Sequence, residues 1–380
     1  MKALVTISRI LVGVLFIISG LIKANDALGF SYKLDEYFTV FNMSFLSGTS
    51  LFLAMIICIF EVGLGVALLV GYRMVLVSWL MLLMILFFTF LTFYSAYFDV
   101  VKDCGCFGDA LKLKPWESFY KDVILLVFIL LIFAKRKSIK PLGSAATAGI
   151  ISFAGLILTT WFTWHCYAHL PVKDFRPYAI GNNISEGMKL PEGAVTDSVV
   201  MVFIYKDKKS GVQYEVGMDS LSKYSGNSEV YEFVDRIDKV VREGDKAPIH
   251  DFAIRDAEDN DLAPDFLSRP EYIFMLVAYD LSKSDTDVQA KINEFAANCQ
   301  KKDIEFFGLT ATIPSETDKF RHDHQNMFPY YFCDGTALKT IIRSNPGLVL
   351  IKGGTVLGMW HHNDFPTFDE VKKTFLVSGK

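Results

Sequence analysis

Before residue 165 the chain carries apolar runs too long for the core helices of a water-soluble domain: residues 4–22, 45–70, 74–98, 119–134 and 145–164. A bilayer interior offers no water to bond backbone N–H and C=O groups, so such runs are expected as helices that satisfy their own backbone. Spanning takes about 20 residues. The fourth run is shorter, with Lys121 and Asp122 in its first turn, and by itself also fits a re-entrant or interfacial helix. The first run competes with a secretory signal peptide, since only Lys2 precedes it. Arg9 interrupts its apolar centre, however, and no small-x-small cleavage site follows Gly20, so it is read as a retained helix.

Charge sets the orientation. Lys135-Arg136-Lys137 with Lys140 is the densest basic cluster between apolar runs, and the positive-inside rule puts it in the cytoplasm. Lys2 and Arg73 fall on the same side if all five runs span, which counts the fourth run as a true span. The N-terminus is then cytoplasmic, and the first loop, the loop over residues 99–118 and everything after Trp164 are extracytoplasmic. Tyr94, Tyr97, Trp116, Tyr120, Trp161, Trp164 and Tyr167 all map to the outer ends, where amphipathic rings favour the interface. Membrane lipid is thus the first expected partner. The net charge of −4 and pI of about 6.0 give no reason to expect nucleic acid.

Two charges lie inside spans. Arg9 sits near the inner end of the first helix and Glu61 near the middle of the second. In antiparallel helices their depths differ by roughly 6 Å, and Arg9 reaching along its stem is expected to meet Glu61. That pair reads either as a packing ion pair or as part of a proton or quinone path at Glu61. Gly63, Gly65 and Ala67 allow close helix approach in either case.

The chemistry-bearing stretch is Cys104-Gly105-Cys106-Phe107-Gly108, in the loop between the third and fourth runs. A bridge within Cys-x-Cys closes a small, strained ring, which marks labile rather than structural disulfides. Asp103 and Asp109 beside the pair disfavour thiolate, and Lys102 favours it. Other readings stay open: a structural bridge, a bridge from either cysteine to Cys166, or a metal site with His165 and His169. Cys58, Cys299 and Cys333 read as buried packing residues. His322, His324, His361 and His362 read as solvated surface histidines. No metal site is assigned.

Residues 1–140 resemble the DoxX-like membrane family, in particular its MauE-type branch. The matching features are Arg9 in Arg-Ile-Leu-Val-Gly, Ser19-Gly20-Leu21-Ile22-Lys23, Glu61 ahead of Gly63 and Gly65, and the Cys-Gly-Cys-Phe-Gly loop. The resemblance implies a four-helix membrane bundle in a bacterial inner membrane, associated with disulfide formation in extracytoplasmic redox proteins. The run at 145–164 adds a fifth helix, within residues 141–170.

From Pro171 the composition turns polar. Residues 171–243 read as a β-rich connecting region, with strands at 199–205 and 212–216 and a strand then a short helix or strand over 229–242. Residues 244–380 alternate strand and helix: strands at 272–279, 304–310 and 330–333, helices at 285–299, 314–327 and 337–342, a hairpin over 348–360 and a closing helix at 368–376. This order resembles an α/β thioredoxin-like soluble domain, carried by Ala247-Pro248 with Asp251-Phe252, by Phe328-Pro329 and by Asn345-Pro346-Gly347. The resemblance implies a cis Pro346 facing the redox site. Where that family has Cys-x-x-Cys, this chain has Tyr279-Asp280-Leu281-Ser282-Lys283-Ser284, without a thiol. Tyr279, Asn345 and Pro346 are the expected partner-binding positions.

Two functions are compatible with these features. One is a membrane thiol–disulfide oxidoreductase component: Cys104 and Cys106 are catalytic, Glu61 and Arg9 assist, the client is an extracytoplasmic thiol or disulfide protein, and a quinone is a possible acceptor. The other is a non-catalytic envelope scaffold with a membrane anchor. No other cofactor is expected.

Overall fold

The computed structural model describes residues 2–101, 105–111, 113–191, 193–195, 198–242 and 244–376. The apolar region folds into α1 (Lys2–Asn25), α2 (Ala27–Val40), α3 (Ser50–Val70), α4 (Met74–Phe98), α5 (Pro115–Lys135) and α6 (Ala145–Ala168). Four segments are long and apolar enough to cross a membrane: Ala3–Asn25, Ser44–Val70, Met74–Phe98 and Ala145–Ala168. The run expected at 119–134 extends back to Pro115 at the first helical position, and Glu117 accepts from the Lys114 N–H at 3.0 Å. Glu117, Lys121 and Asp122 explain why its apolar part alone is short. Asp122 is buried, bound to Lys121 at 2.8 Å and accepting from Thr92 Oγ1 at 3.1 Å.

α2 corrects the expectation of a plain first loop. Asp26 is its N-cap and accepts from the Gly29 N–H at 2.8 Å, which satisfies one of the unbonded N–H groups of a helix start. Phe30, Leu34 and Tyr37 then return on one buried face.

The bundle closes where side chains are smallest. α1 packs along α3, α6 along α3, and α4 along α5. A methyl group added at Gly65 would stand 2.8 Å from the Gly13 carbonyl oxygen of α1, and one at Gly63 would stand 2.4 Å from Leu156 of α6. Val12, Phe16, Leu68, Met81, Ile129 and Ile132 fill the centre.

Two compact units are present: Met1–Asn182 with Ala253–Lys380, and Asn183–Phe252. The smaller holds α7 (Ile184–Gly187), β1 (Ser198–Asp207), β2 (Gln213–Gly217), α8 (Leu221–Ser225) and β3 (Tyr231–Arg242). Its strands form an antiparallel sheet in the order β2-β1-β3. Residues 231–242 are one strand, with no helix at their C-terminal end. Tyr231 and Phe233 pair with Asp207 and Tyr205 of β1, and after a bulge the pairing resumes at Asp235 with Ile204.

The C-terminal part of the larger unit runs through α9 (Ala263–Ser268), β4 (Tyr272–Val277), α10 (Gln289–Gln300), β5 (Glu305–Thr310), α11 (Pro314–Asp323), β6 (Tyr330–Phe332), α12 (Gly335–Ile341), β7 (Gly347–Lys352), β8 (Thr355–His361) and α13 (Phe368–Val371). The sheet order is β6-β5-β4-β7-β8. β4, β5 and β6 are parallel, and β7 and β8 run antiparallel to their neighbours. Ile273 through Val277 are all buried, as a central strand covered on both faces requires. Ile292, Phe295 and Cys299 of α10 pack on the sheet, with Phe295 edge-on to Phe274 at 4.9 Å. Gly353 and Gly354 turn the hairpin with φ of 54° and 72°, a left-handed pair that side chains disfavour.

Candidate functional site

The glycine contacts fix the register of α1 against α3. Gly13 lies against Gly65 and Leu69, and Gly20 against Cys58 and Val62, so facing residue numbers sum to about 80. Lys23 therefore meets the turn that carries Glu61. The two form an ion pair, with side chains only 2% and 7% exposed. The Lys23 ammonium also lies 5.5 Å from the Phe30 ring and 5.0 Å from the Phe88 ring.

The expected Arg9–Glu61 pair is not formed. By the same register Arg9 faces about residue 71, ten residues or about 15 Å along α3 from Glu61. Its guanidinium donates instead to the Leu69 carbonyl at 3.2 Å. Depth alone did not identify the partner, because side-chain reach matters less than which helix faces meet. Lys23 enters the sequence reading only through the Ser19–Lys23 motif. Its place four residues after Ser19, on one helix face, was the available signal.

Cys106 is held above this pair. Its side chain is buried, and its carbonyl accepts from Ser19 Oγ at 2.9 Å. Gly105 and Gly108 have φ of 68° and 50°, so the loop bends at both glycines. The space where a Gly105 side chain would begin is closed by Lys33 Cγ at 3.2 Å. The Lys121 ammonium lies 5.3 Å from the Phe107 ring. The Cys106 and Cys58 sulfurs both interact electrostatically with Lys23. Cys104, with Lys102 and Asp103, lies outside the described residues.

Cys166 is buried and unbridged. His165 stacks with Trp161 at 5.5 Å, and His169 binds Asp364 at 2.8 Å. Among the described residues no group of three or more His, Cys, Asp or Glu side chains converges to hold a metal ion. Cys299 is buried as expected, and burial pushes its thiol up to about 12, too high for thiolate chemistry at neutral pH.

The C-terminal sheet domain rests on the bundle at the start of α2. Arg343 is buried, and its Nε donates to both carboxylate oxygens of Asp26 at 2.9 Å. Its other arm reaches Asp109 of the cysteine loop at 3.5 Å. Gly29 is required for this approach, since an added methyl would stand 2.7 Å from Arg343 Nη2. Burial alone would raise the Asp26 carboxyl, but Arg343 more than offsets this and holds it below its ordinary value. Lys339 lies between two rings, 5.0 Å from Tyr32 of α2 and 5.7 Å from Tyr279. Asn363 Nδ2 donates to the Ala168 carbonyl at 2.7 Å, and Asn25 exchanges two hydrogen bonds with the Lys173 backbone, at 2.7 Å and 3.0 Å.

Of the expected partner-binding residues, Tyr279 thus borders the chain's own bundle. The Asn345–Pro346 bond is cis, as expected, and both residues are buried. Asn345 Nδ2 donates to the Asp280 carbonyl at 2.8 Å, and Asp285 N–H donates to the Asn345 carbonyl at 2.9 Å, which ties the cis-proline strand to the Tyr279–Ser284 segment. Arg343 and Lys339 were not singled out by sequence. The signal was a cation directly after Ile341-Ile342 and three residues before Pro346.

The expectation of solvated histidines at 361 and 362 is also corrected. His361 closes β8 inside the domain, 4% exposed; burial, with His362 beside it, pushes its imidazole down to about 4. His362 Nδ1 contacts Ser344 Oγ at 3.0 Å, and His362 Nε2 lies 3.8 Å from Asp285. This Ser-His-Asp string is not a hydrolytic triad: Ser344 is 3% exposed and its hydroxyl donates to the Pro346 carbonyl.

Residues 1–135 match the family model described as methylamine utilisation protein MauE. No curated protein and no solved structure matches the chain.

Proposed function

We propose that this chain is a multi-pass membrane thiol–disulfide redox component whose Cys104-Gly105-Cys106 loop exchanges electrons with an extracytoplasmic protein client. The observation that carries this reading is the placement of Cys106 on a bend fixed by Ser19 and beside a buried Lys23–Glu61 pair. Burying two charges costs several kcal/mol per ion, and pairing recovers that only in part, so such a pair is poor evidence for stability and good reason to look for chemistry. In the forward direction two thiols become one disulfide and release two electrons and two protons. A membrane quinone is the acceptor class that would take both, and Glu61 is the residue that would face it.

The C-terminal domain is read as thioredoxin-like. The parallel β4-β5 pair, the antiparallel β7-β8 hairpin and the cis Pro346 support this. Lacking a thiol at residues 279–284, it acts by contact, recruiting the client or holding the cysteine loop. Residues 1–135 match a family associated here with the DoxX-like bundle, and the basic cluster at 135–140 favours a cytoplasmic N-terminus and a periplasmic C-terminal domain.

Thiol trapping in intact cells tests the redox role. Wild type should show a reversible dithiol, and one of Cys104→Ser or Cys106→Ser should accumulate mixed disulfides. A permanently bridged or inert pair, with full function in the double variant, defeats it. The scaffold reading is favoured by one observation: the domain's cis-proline side is engaged with the chain's own bundle through Arg343 and Lys339. Orientation is read by impermeant labelling of single cysteines introduced at the exposed Ser138 and Ser210. Reaction at 210 and protection at 138 is expected.

A further inference from the structure

We propose that Lys23 is the group that holds the Cys106 sulfur as a thiolate, with Glu61 as the countercharge that limits how strongly it does so. This rests on the redox reading of the cysteine loop and adds a residue to it. Ser19 and Lys23 lie four apart on one face of α1. Ser19 fixes the Cys106 backbone at 2.9 Å, which seats the loop on the α1 face that carries Lys23. The ammonium is buried, 2% exposed, so neither water nor salt screens it as they would at a surface. When the thiol ionises, its proton leaves to water and the new anion shares one cation with Glu61.

Among the described residues, the charges that line the loop have partners of their own. Lys33, whose stem lines Gly105, binds Glu36 at 3.0 Å. Lys121, over Phe107, binds Asp122 at 2.8 Å. Asp109 faces Arg343 at 3.5 Å. Cys58, one turn before Glu61, faces the same ammonium from α3 and is the competing thiol. Among the described residues, the Lys23–Glu61 pair is therefore the one chosen for charge removal.

The test is a pH titration of ultraviolet thiolate absorbance on the reduced, detergent-solubilised full chain carrying Cys104→Ser. The signal lost on adding Cys106→Ser isolates this sulfur. Glu61→Gln, which leaves the ammonium without its countercharge, should move the midpoint down. Lys23→Met should move it up by about one unit or more, and Lys23→Arg should restore it. Should Lys23→Met not fold with Glu61 left unpaired, the neutral Lys23→Met/Glu61→Gln chain is compared with Glu61→Gln alone, above which its midpoint should lie. Opposite signs for the two partners are the signature, because a purely structural pair would move the midpoint in one direction or not at all, and either of those results overturns the proposal. The titration uses no client or acceptor, so an inert pair in cells sinks the redox reading without touching this result.

Discussion

Arg343 and Asp26, 317 positions apart in sequence, meet with Nε 2.9 Å from each carboxylate oxygen, and this contact joins the C-terminal domain to the helical bundle. Asp26 does two things at once. It caps α2 through Gly29 and receives the guanidinium, so the helix start and the docking of the domain depend on one carboxylate. Because Arg343 also reaches Asp109, the same side chain ties the domain to the loop that carries Cys106.

Breaking that contact from one side should therefore be costly. Arg343→Met leaves Asp26 mostly buried without its cation, and loss of one partner of such a pair costs about 3–5 kcal/mol. We expect a lower thermal midpoint for the full chain and faster alkylation of Cys106 by a small reagent. Adding Asp26→Asn should recover part of the loss, since an amide keeps the cap and needs no cation. Equal losses in the single and double variants would argue against coupling between the two residues.

The second domain–bundle ion pair should matter far less. His169 and Asp364 are 44% and 46% exposed, and exposed pairs contribute about 0–1 kcal/mol. Asp364→Asn is expected to leave both the thermal midpoint and Cys106 accessibility close to wild type. A loss comparable to that of Arg343→Met would show that the docking energy is spread along the interface rather than concentrated at Arg343.

Much of this was legible in the sequence, and the failures share a cause. Apolar runs gave the spans at 4–22, 74–98 and 145–164 because hydropathy and length are local properties. The central strands at 272–277 and 305–310 were legible for the same reason, as buried runs of strand length. Helix α2 was missed because its buried face is built from Phe30, Leu34 and Tyr37 among charges, and its signal is a single capping aspartate. The partner of Glu61 was missed because helix register is set by where glycines let backbones touch, which is a property of two segments together. The docking by Arg343 is likewise non-local. His361 was misread because exposure at a strand end depends on what the following turn covers.

The register argument makes a prediction of its own. A methyl at position 65 would stand 2.8 Å from the Gly13 carbonyl oxygen and 2.8 Å from Ile17 Cγ1, too close without a backbone shift. Gly65→Ala should cost about 1–3 kcal/mol, read as a lower thermal midpoint. It should also spread α1 from α3 and weaken the Lys23–Glu61 pair. Gly48→Ala, where nothing lies within 4 Å of the added methyl, is the control and should leave the midpoint near wild type.

His361 gives the molecule an acid sensitivity with a definite sign. Its imidazole is held down at about 4 in the fold, chiefly by burial, with His362 adding to the effect and Asp364 opposing it. In the unfolded chain it titrates at about 6.5. Between those values the unfolded chain binds a proton that the folded one does not, so acidification favours unfolding. The stability that this group contributes is full above about pH 6.5 and is lost as the pH falls towards 4. His362, held down in the same direction by burial, acts alongside it. The thermal midpoint of the full chain in detergent should therefore fall between pH 7 and pH 5. His361→Gln keeps an acceptor for the Asn363 N–H, which His361 Nδ1 accepts at 3.2 Å, and cannot be protonated in this range. It should flatten the pH dependence even if it lowers the midpoint at pH 7. A variant that melts with the same pH slope as wild type would place the sensitivity elsewhere, in groups other than this buried ring.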